Sequence, residues 1–315
     1  MKITITGGAG FVGANLVKAL EMDPLIEEIV ILDDFSTGTH ENIALTKAKI
    51  IEGSILNKAV VEEAINQSSA VIHLAARSSV PRSIDDPKAT HDVNTTGTIN
   101  ILEEIRKHKD VHLIVASSSS VYGNNKISPK SENLPTSPLS PYAASKLATE
   151  SYTLSWANCF HIPAIAFRFF NIFGPMQPPH HSYAAAIPAF LSAAFQDKPL
   201  PVFGTGKQTR DFTFVDSVTR VITETIKNRI SCPSPVNLAF GTQISLLETI
   251  SKIEDLLGRK LEIEFLEARV GDVKNSMADN QKLKKLFPKI KPTKMDEGLS
   301  KTIEWFEKTK PWEKH

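Results

Sequence analysis

The sequence predicts an α/β fold in which a doubly wound parallel sheet carries a smaller lobe made from discontinuous segments. Short apolar runs rich in β-branched residues alternate with helix-period segments through the first half of the chain. These runs lack polar alternation, which is typical of strands buried on both faces of a parallel sheet. Repeated strand–helix–strand units with right-handed crossovers produce such a sheet, and its ligands bind beyond the carboxyl ends of the strands.

The predicted elements follow one another in regular alternation as far as residue 170. Strands are predicted at Ile3–Thr6, Glu28–Leu32, Lys49–Glu52, Ala70–Leu74, Leu113–Ser117 and Ala164–Phe169. Helices are predicted between them at Phe11–Leu20, Lys58–Asn66, Thr90–Lys107 and Pro141–Cys159, where apolar residues recur with helical period.

The pattern changes after Asn171, where Gly174–Pro175 and Pro178–Pro179 interrupt it. Two later strand-like segments, Phe212–Phe214 and Pro235–Ala239, are expected to return to the first sheet. We therefore expect residues 1–170 to form the first domain, with 210–241 returning to it. Residues 171–209 and 242–315 are expected to form the smaller lobe.

Composition excludes several classes of protein. The 315 residues contain 36 Lys and Arg against 35 Asp and Glu, and this net charge of +1 does not favour a nucleic-acid or membrane-surface binder. No apolar run approaches the roughly 18 residues of a membrane span, and no secretory signal is evident. Cys159 and Cys232 are too few for a disulfide framework or a zinc cluster. We expect a cytoplasmic protein.

A glycine-rich turn follows the first predicted strand. Gly7, Gly10 and Gly13 have G-x-x-G-x-x-G spacing and precede a predicted helix. Glycines at such a turn let the backbone approach a pyrophosphate, and the amino end of the helix attracts the phosphates. The turn therefore predicts a Rossmann-type dinucleotide site. Asp33 ends the second strand, where an acid binds the adenosine ribose hydroxyls and disfavours NADP, so NAD is the predicted cofactor. The alternative for Asp33 is a turn-capping aspartate.

Tyr142 and Lys146 lie four residues apart on a predicted helix, so both side chains project from one face. A phenol with the ordinary pKa of about 10 is a poor base at pH 7. One cation at about 4 Å, at an effective dielectric of about 20, contributes about 4 kcal/mol, or roughly three pKa units. Lys146 and a positively charged nicotinamide would therefore bring Tyr142 near neutrality, and a serine of Ser117–Ser120 would hold the substrate oxygen. The alternative is a surface Tyr–Lys pair beside a polar loop.

Together these motifs resemble the extended short-chain dehydrogenase/reductase family, in particular its nucleotide-sugar epimerases. The matching stretches span almost the whole chain in order: TGGAGFVG, LDDFSTG, HLAARSSVPRS, SSSSVYG, YAASK, RFFNIFGP, RDFTFVD and RVGDVKNSMAD. The resemblance implies tightly held NAD, a nucleoside-diphosphate sugar as substrate, with uridine or thymidine as the base, and usually a homodimer formed through a four-helix interface.

The resemblance also implies individual roles. Tyr142 matches the catalytic base and Lys146 the cofactor-binding lysine. Ser118 matches the active-site serine, and aligning the run of four serines, Ser117–Ser120, one residue later gives Ser119 instead. Ser54 stands where the family often has an aspartate near the adenine, which weakens one adenine contact. The complete predicted cofactor set is Gly7, Gly10, Phe11, Val12, Gly13, Asp33, Ser36, Ser54, Ile55, Leu74, Ala75, Ala76, Tyr142 and Lys146.

The substrate side is predicted in the same way. Asn171 resembles the residue that contacts the sugar-nucleotide phosphates, Arg210 and Arg269 the two diphosphate clamps, and Asp272 the ligand of the nucleoside ribose. Guanidinium forks suit diphosphate oxygens. The alternatives are a structural Arg–Asp salt bridge and, for Asn171, a turn cap. Ser276 stands where a bulky residue narrows the family's pocket, so N-acetyl sugars are expected to fit; a helix-starting serine is the other interpretation.

The implied reaction is epimerisation at C4 of UDP-glucose or UDP-galactose, or of their N-acetyl forms, through a transient 4-keto sugar. The serine run carries no acidic residue before Val121, which disfavours a dehydratase or decarboxylase. A UDP-glucuronate 4-epimerase is the second interpretation. Another nucleotide-sugar dehydratase or reductase, and a silent NAD-binding regulator, are further alternatives.

Overall fold

The computed structural model describes residues 1–108, 110–179, 185–268 and 276–313. Twelve strands lie in these ranges: β1 Lys2–Thr6, β2 Glu28–Asp33, β3 Lys49–Glu52, β4 Ala70–His73, β5 His112–Ser118, β6 Ala164–Phe169, β7 Asn171–Phe173, β8 Leu200–Phe203, β9 Thr209–Phe214, β10 Val236–Leu238, β11 Gln243–Ser245 and β12 Ile263–Leu266.

The α-helices of the described ranges connect and cover the strands. They are α1 Phe11–Leu20, α2 Lys58–Ile65, α3 Val80–Asp85, α4 Pro87–His91, α5 Gly97–Ile105, α6 Pro141–Phe160, α7 Ala186–Phe195, α8 Val215–Lys227, α9 Leu246–Leu257, α10 Gln281–Leu286 and α11 Met295–Thr309. None of these described helices is long and apolar enough to cross a membrane.

A seven-stranded parallel sheet has the order β10-β6-β5-β4-β1-β2-β3, so the predicted doubly wound fold is confirmed. Its two faces bury different side chains of the same strands. Ile29 and Ile31 of β2 pack into one apolar cluster, whereas Val30 and Leu32 pack into another on the opposite face. Burial on both faces explains why the strands read as continuous apolar runs.

Of the two later segments expected to return to this sheet, only Val236–Leu238 joins it, as its edge strand beside β6. Phe212–Phe214 lies instead in β9, which pairs with β7 and β11 in a separate three-stranded sheet. The reason is packing: Phe212 and Phe214 contact Phe173 of β7 in the apolar core of the smaller lobe.

The helix predicted over Thr90–Lys107 is helical but not uniform. It begins within α4, passes through a π-helical segment, Asp92–Thr96, and continues as α5. This segment places Asn94 so that its side-chain oxygen accepts a hydrogen bond from the Arg77 amide at 2.7 Å. The departure from regular helix thus fixes the loop that follows β4.

Candidate active site

The turn between β1 and α1 requires glycine for steric reasons. Gly7 has φ +73, and a side chain there would lie 2.7 Å from the Ala75 amide nitrogen. A side chain at Gly13 would overlap the Gly7 carbonyl oxygen and lie 2.7 Å from Cα of Gly8. Gly10, which precedes α1, would place a methyl 3.3 Å from the Gly7 carbonyl oxygen and near nothing else. The backbone is therefore open beside the amino end of α1, as a dinucleotide pyrophosphate requires.

A cleft of about 400 Å³ opens at this turn, beyond the carboxyl ends of the strands. The predicted cofactor residues that line it are Gly7, Gly10, Phe11, Val12, Gly13, Asp33, Ser36, Ile55, Leu74, Ala75, Ala76, Tyr142 and Lys146. They come from the ends of four strands and from two helices, α1 and α6, yet they face a single cavity. The residues present thus fit NAD.

Ser54 is the one predicted cofactor residue that the structure does not bring to the cleft wall. Its hydroxyl accepts a hydrogen bond from the Leu56 amide at 3.2 Å, within the turn before α2. The neighbours Gly53 and Ile55 line the cleft in its place.

Asp33 lies at the end of β2 and is 7 % exposed. One carboxylate oxygen accepts from the Ala9 amide at 2.8 Å, and the other from the Phe35 amide at 2.9 Å. Burial raises the pKa of this carboxyl, and the two amide bonds oppose that shift. Each oxygen keeps a further lone pair, so Asp33 both braces the glycine turn and can accept ribose hydroxyls.

The three predicted catalytic residues all line the cleft. Ser118 ends β5, and its hydroxyl oxygen accepts from the Ser120 amide at 3.1 Å and from the Ser120 hydroxyl at 2.9 Å. Tyr142 and Lys146 lie one turn apart at the start of α6. Ser119 is not on the cleft wall; it begins a short 3₁₀ turn. The geometry thus favours Ser118 over Ser119 in the ambiguous register.

The electrostatics of Tyr142 depend on its neighbours. Burial raises the pKa of Tyr142, and a hydrogen bond from Ser118 lowers it. Burial lowers the pKa of Lys146 to about 8, and the Glu150 carboxylate opposes this shift. The Lys146 ammonium is therefore still mostly protonated at pH 7 and can stabilise a phenolate. Within the protein alone Tyr142 is a weak base, so its activation requires that ammonium together with the positive ring of a bound cofactor.

A second cavity of about 810 Å³ adjoins the cleft. Phe170, Ile172 and Gln177 line both, so the two spaces meet along the segment after β6. Asn171 and Arg210 line the second cavity, where polar and cationic groups suit a diphosphate.

Ser276, which is also predicted to bind substrate, is not on the wall of that cavity. Ser276 is half-buried, and its amide donates to the Thr209 carbonyl at 3.1 Å, next to Arg210. Arg269 and Asp272 lie outside the described residues. The described residues contain no group of three His, Cys, Asp or Glu side chains that could hold a metal ion.

Sequence reasoning gave no role to Gln177, Ser78 and Thr37, which also line the cleft. The Gln177 amide nitrogen donates to the Ile172 carbonyl at 3.2 Å. Among the described residues nothing donates to the buried side-chain oxygen of Gln177. The sequence signal that could have identified Gln177 is its position just after Gly174–Pro175, where the chain crosses between the two cavities.

Comparison with known proteins agrees with this geometry. The model of the NAD dependent epimerase/dehydratase family matches residues 3–239, more than half of the chain. The UDP-glucose 4-epimerase of Mycolicibacterium smegmatis is 33% identical, over 97% of this chain and 98% of its own length. A putative UDP-glucose 4-epimerase of Methanocaldococcus jannaschii is 34% identical over 96% of this chain and 97% of its own.

Solved structures show the same similarity in three dimensions. The UDP-N-acetylglucosamine 4-epimerase of Methanobrevibacter ruminantium, in complex with UDP-N-acetylmuramic acid, has a TM-score of 0.92 at 31% identity and covers 98% of both chains. The UDP-glucuronic acid 4-epimerase of Bacillus cereus, in complex with UDP-glucuronic acid and NAD, has a TM-score of 0.90 at 31% identity over 98% of this chain and 99% of its own. The glycine turn, the Tyr–Lys helix and these similarities together show that the chain belongs to the NAD-dependent epimerase/dehydratase family.

Proposed function

We propose that this protein epimerises a UDP-sugar at C4 through a transient 4-keto sugar, with NAD as its bound cofactor. The observation that carries the proposal is the placement of Ser118, Tyr142 and Lys146 on one cleft wall, where the Ser118 side chain lowers the pKa of Tyr142. That cleft adjoins a second cavity large enough for a sugar nucleotide.

The proposed mechanism assigns one task to each side chain. The Ser118 hydroxyl holds the C4 oxygen of the sugar, and Tyr142 takes the proton from that oxygen. Lys146 would stabilise the phenolate, because it lies one helical turn from Tyr142 on the same cleft wall. NAD, held in the cleft by the glycine turn and Asp33, would supply the hydride-transfer chemistry at C4. Asn171 and Arg210 hold the diphosphate while the sugar turns over in the second cavity.

The serine run supports epimerisation over elimination. Loss of water or carbon dioxide needs an additional acid–base group, and Ser117–Ser120 contains no carboxylate. Glu150 is the carboxylate bound to this run, through Ser117, and it is already paired with Arg168 at 2.7 Å. It is therefore not free to act on the sugar.

The sugar is assigned only as a class. Relatives named for UDP-glucose, UDP-N-acetylglucosamine and UDP-glucuronic acid are all similar to this chain. We propose a neutral hexose or its N-acetyl form as the first choice and the uronate as the second. Asn171 supports this order. It directly follows Arg168–Phe170, and the UDP-glucuronate 4-epimerases that this chain resembles typically lack an asparagine at that position.

Proton NMR of the purified enzyme decides this. UDP-glucose, UDP-N-acetylglucosamine and UDP-glucuronate are each incubated without added cofactor, and the C4 epimer is followed with time. We expect conversion of at least one of the first two and loss of that conversion in Tyr142→Phe. A wild-type protein that retains NAD yet converts none of the three would contradict the proposed function.

We further infer a cytoplasmic homodimer with the domain division given above, except that Thr209–Phe214 belongs to the smaller lobe. Two features support the dimer: Tyr152, Trp156 and Phe160 form a row of edge-contacting rings along α6, and Tyr152 and Phe160 are partly exposed. An exposed aromatic stripe suits a helix–helix interface. Both cysteines are free, which supports a reducing compartment. Sedimentation of the purified protein tests the dimer.

A further inference from the structure

A buried ion pair lies directly behind the cleft. Arg168 of β6 donates from Nε to one oxygen of Glu150 at 2.9 Å and from a terminal nitrogen to the other oxygen at 2.7 Å. Both side chains are 4 % exposed. The same carboxylate accepts from the Ser117 hydroxyl at 2.7 Å. The guanidinium also lies 4.7 Å from the centre of the Tyr122 ring, so both charges are fully partnered.

The three bonded residues sit on β5, β6 and α6, and two of these elements, β5 and α6, carry the proposed chemistry. Ser117 is adjacent to Ser118 on β5, and it is the register partner of Arg168 on β6. Glu150 lies on α6, one turn beyond Lys146 and two turns beyond Tyr142, on the same face of the helix. One carboxylate therefore connects the strand that bears the serine to the helix that bears the tyrosine.

Core stability alone does not require charges here. Apolar side chains of similar volume usually stabilise a core as well as a buried ion pair does, because they avoid desolvation. A bidentate ion pair instead fixes the orientation and register of the two elements that carry it, here α6 and β6. Resting on the function proposed above, we propose that Glu150 and Arg168 are positioning residues, whose bonds hold α6 against β5 and β6 so that the Tyr142 hydroxyl stays opposite Ser118.

The test removes both charges together, because a single substitution would leave the other charge buried alone. The variant is Glu150→Gln/Arg168→Met, prepared as the NAD-loaded enzyme. Its matched control is Asp23→Asn/Lys227→Met, which removes a 3.0 Å ion pair between elements remote from the cleft. Ser117→Ala is the milder variant, since it removes only the bond from β5 to the carboxylate.

We expect kcat of the double variant to fall about 10²-fold, as displacements of about 1 Å do, while KM changes less than about twofold and NAD is retained. Ser117→Ala should lose roughly tenfold in kcat, and the control should match wild type. In crystal structures of the double variant and wild type, the distance between the Ser118 and Tyr142 hydroxyls should be longer in the variant by about 1 Å. This last readout needs no substrate, so it separates the positioning role from the proposed function.

Three results would overturn the proposal. One is a folded double variant that keeps kcat within about twofold of wild type. Another is a loss of kcat accompanied by an equal rise in KM and loss of NAD, which indicates general disruption. The third is an unchanged distance between the Ser118 and Tyr142 hydroxyls in the variant crystal. If wild type converts no UDP-sugar but that distance increases in the variant, the function fails and the positioning role stands.

Discussion

Two alanine substitutions in the glycine turn should separate cofactor binding from folding. At Gly10 the backbone has φ −75 and ψ 173, which alanine adopts readily. The added methyl would meet only the Gly7 carbonyl oxygen, at 3.3 Å, and otherwise enters the open cleft. Stability of the cofactor-free protein should therefore change by less than about 1 kcal/mol.

The same methyl occupies the space that a pyrophosphate must approach. Displacing the phosphates from two backbone amides removes two hydrogen bonds to a charged group, each contributing about 1.5–3 kcal/mol. The total of about 3–6 kcal/mol corresponds to an NAD affinity weaker by about 10²–10⁴-fold. Gly13→Ala should instead lower the stability of the cofactor-free protein, because its methyl overlaps the rigid backbone of Gly7 and Gly8. We expect it to destabilise the cofactor-free protein by about 1–3 kcal/mol or more.

The assay measures the melting temperature of nucleotide-stripped protein and the NAD affinity by titration calorimetry. Gly10→Ala should melt like wild type and bind NAD weakly, whereas Gly13→Ala should melt about 2–5 °C lower. Wild-type NAD affinity in Gly10→Ala would refute the placement of the pyrophosphate. An equal decrease in melting temperature in both variants would refute the steric reasoning.

Three further predictions concern single residues. Asp33→Ala should narrow the preference for NAD over NADP by about tenfold or more in calorimetric titrations, since it removes the carboxylate at the ribose site; unchanged affinities for both would contradict the assignment. His73 is buried between Thr6 and Thr98, and burial lowers its pKa to about 3, so the folded protein binds this proton less tightly than the unfolded chain. Stability should therefore be lost as pH falls from about 6.5 towards 3, by about 4 kcal/mol at pH 3.5, and urea titrations of His73→Asn should show a smaller loss. Ser276 does not line the second cavity itself but lies beside Arg210, which does, so Ser276→Tyr should abolish turnover of an N-acetyl substrate in the NMR assay and spare UDP-glucose. Undiminished N-acetyl turnover would remove Ser276 as the gatekeeper.

Local patterns in the sequence were sufficient for most of the sheet and for the cofactor cleft. The strands are buried on both faces, so each is visible as an apolar run without reference to the others. The glycine turn and the Tyr142–Lys146 spacing are also local, since one loop or one helical turn contains each of them. The apolar strands, the glycine turn and the helix that bears Tyr142 and Lys146 are therefore all present in the structure as predicted.

Features that depend on distant contacts could not be predicted this way. Phe212–Phe214 resembles a short apolar strand of the main sheet, and only its packing on Phe173 places it in the smaller lobe. The Glu150–Arg168 pair joins residues from separate elements, and neither residue is distinctive in its own segment. Ser54 was predicted to bind the cofactor because it aligns with a family position near the adenine. In the structure the turn before α2 places its neighbours Gly53 and Ile55 on the cleft wall instead.

Hydride return within one active site is the claim that the whole mechanism depends on, and an isotope measurement tests it directly. A UDP-sugar carrying deuterium at C4 is converted by the holoenzyme in ordinary water, and the product is examined by NMR and mass spectrometry. Because the hydride leaves C4 and comes back to the same carbon on its other face, the product should keep its deuterium at C4. Replacement of that deuterium by solvent hydrogen would contradict the account.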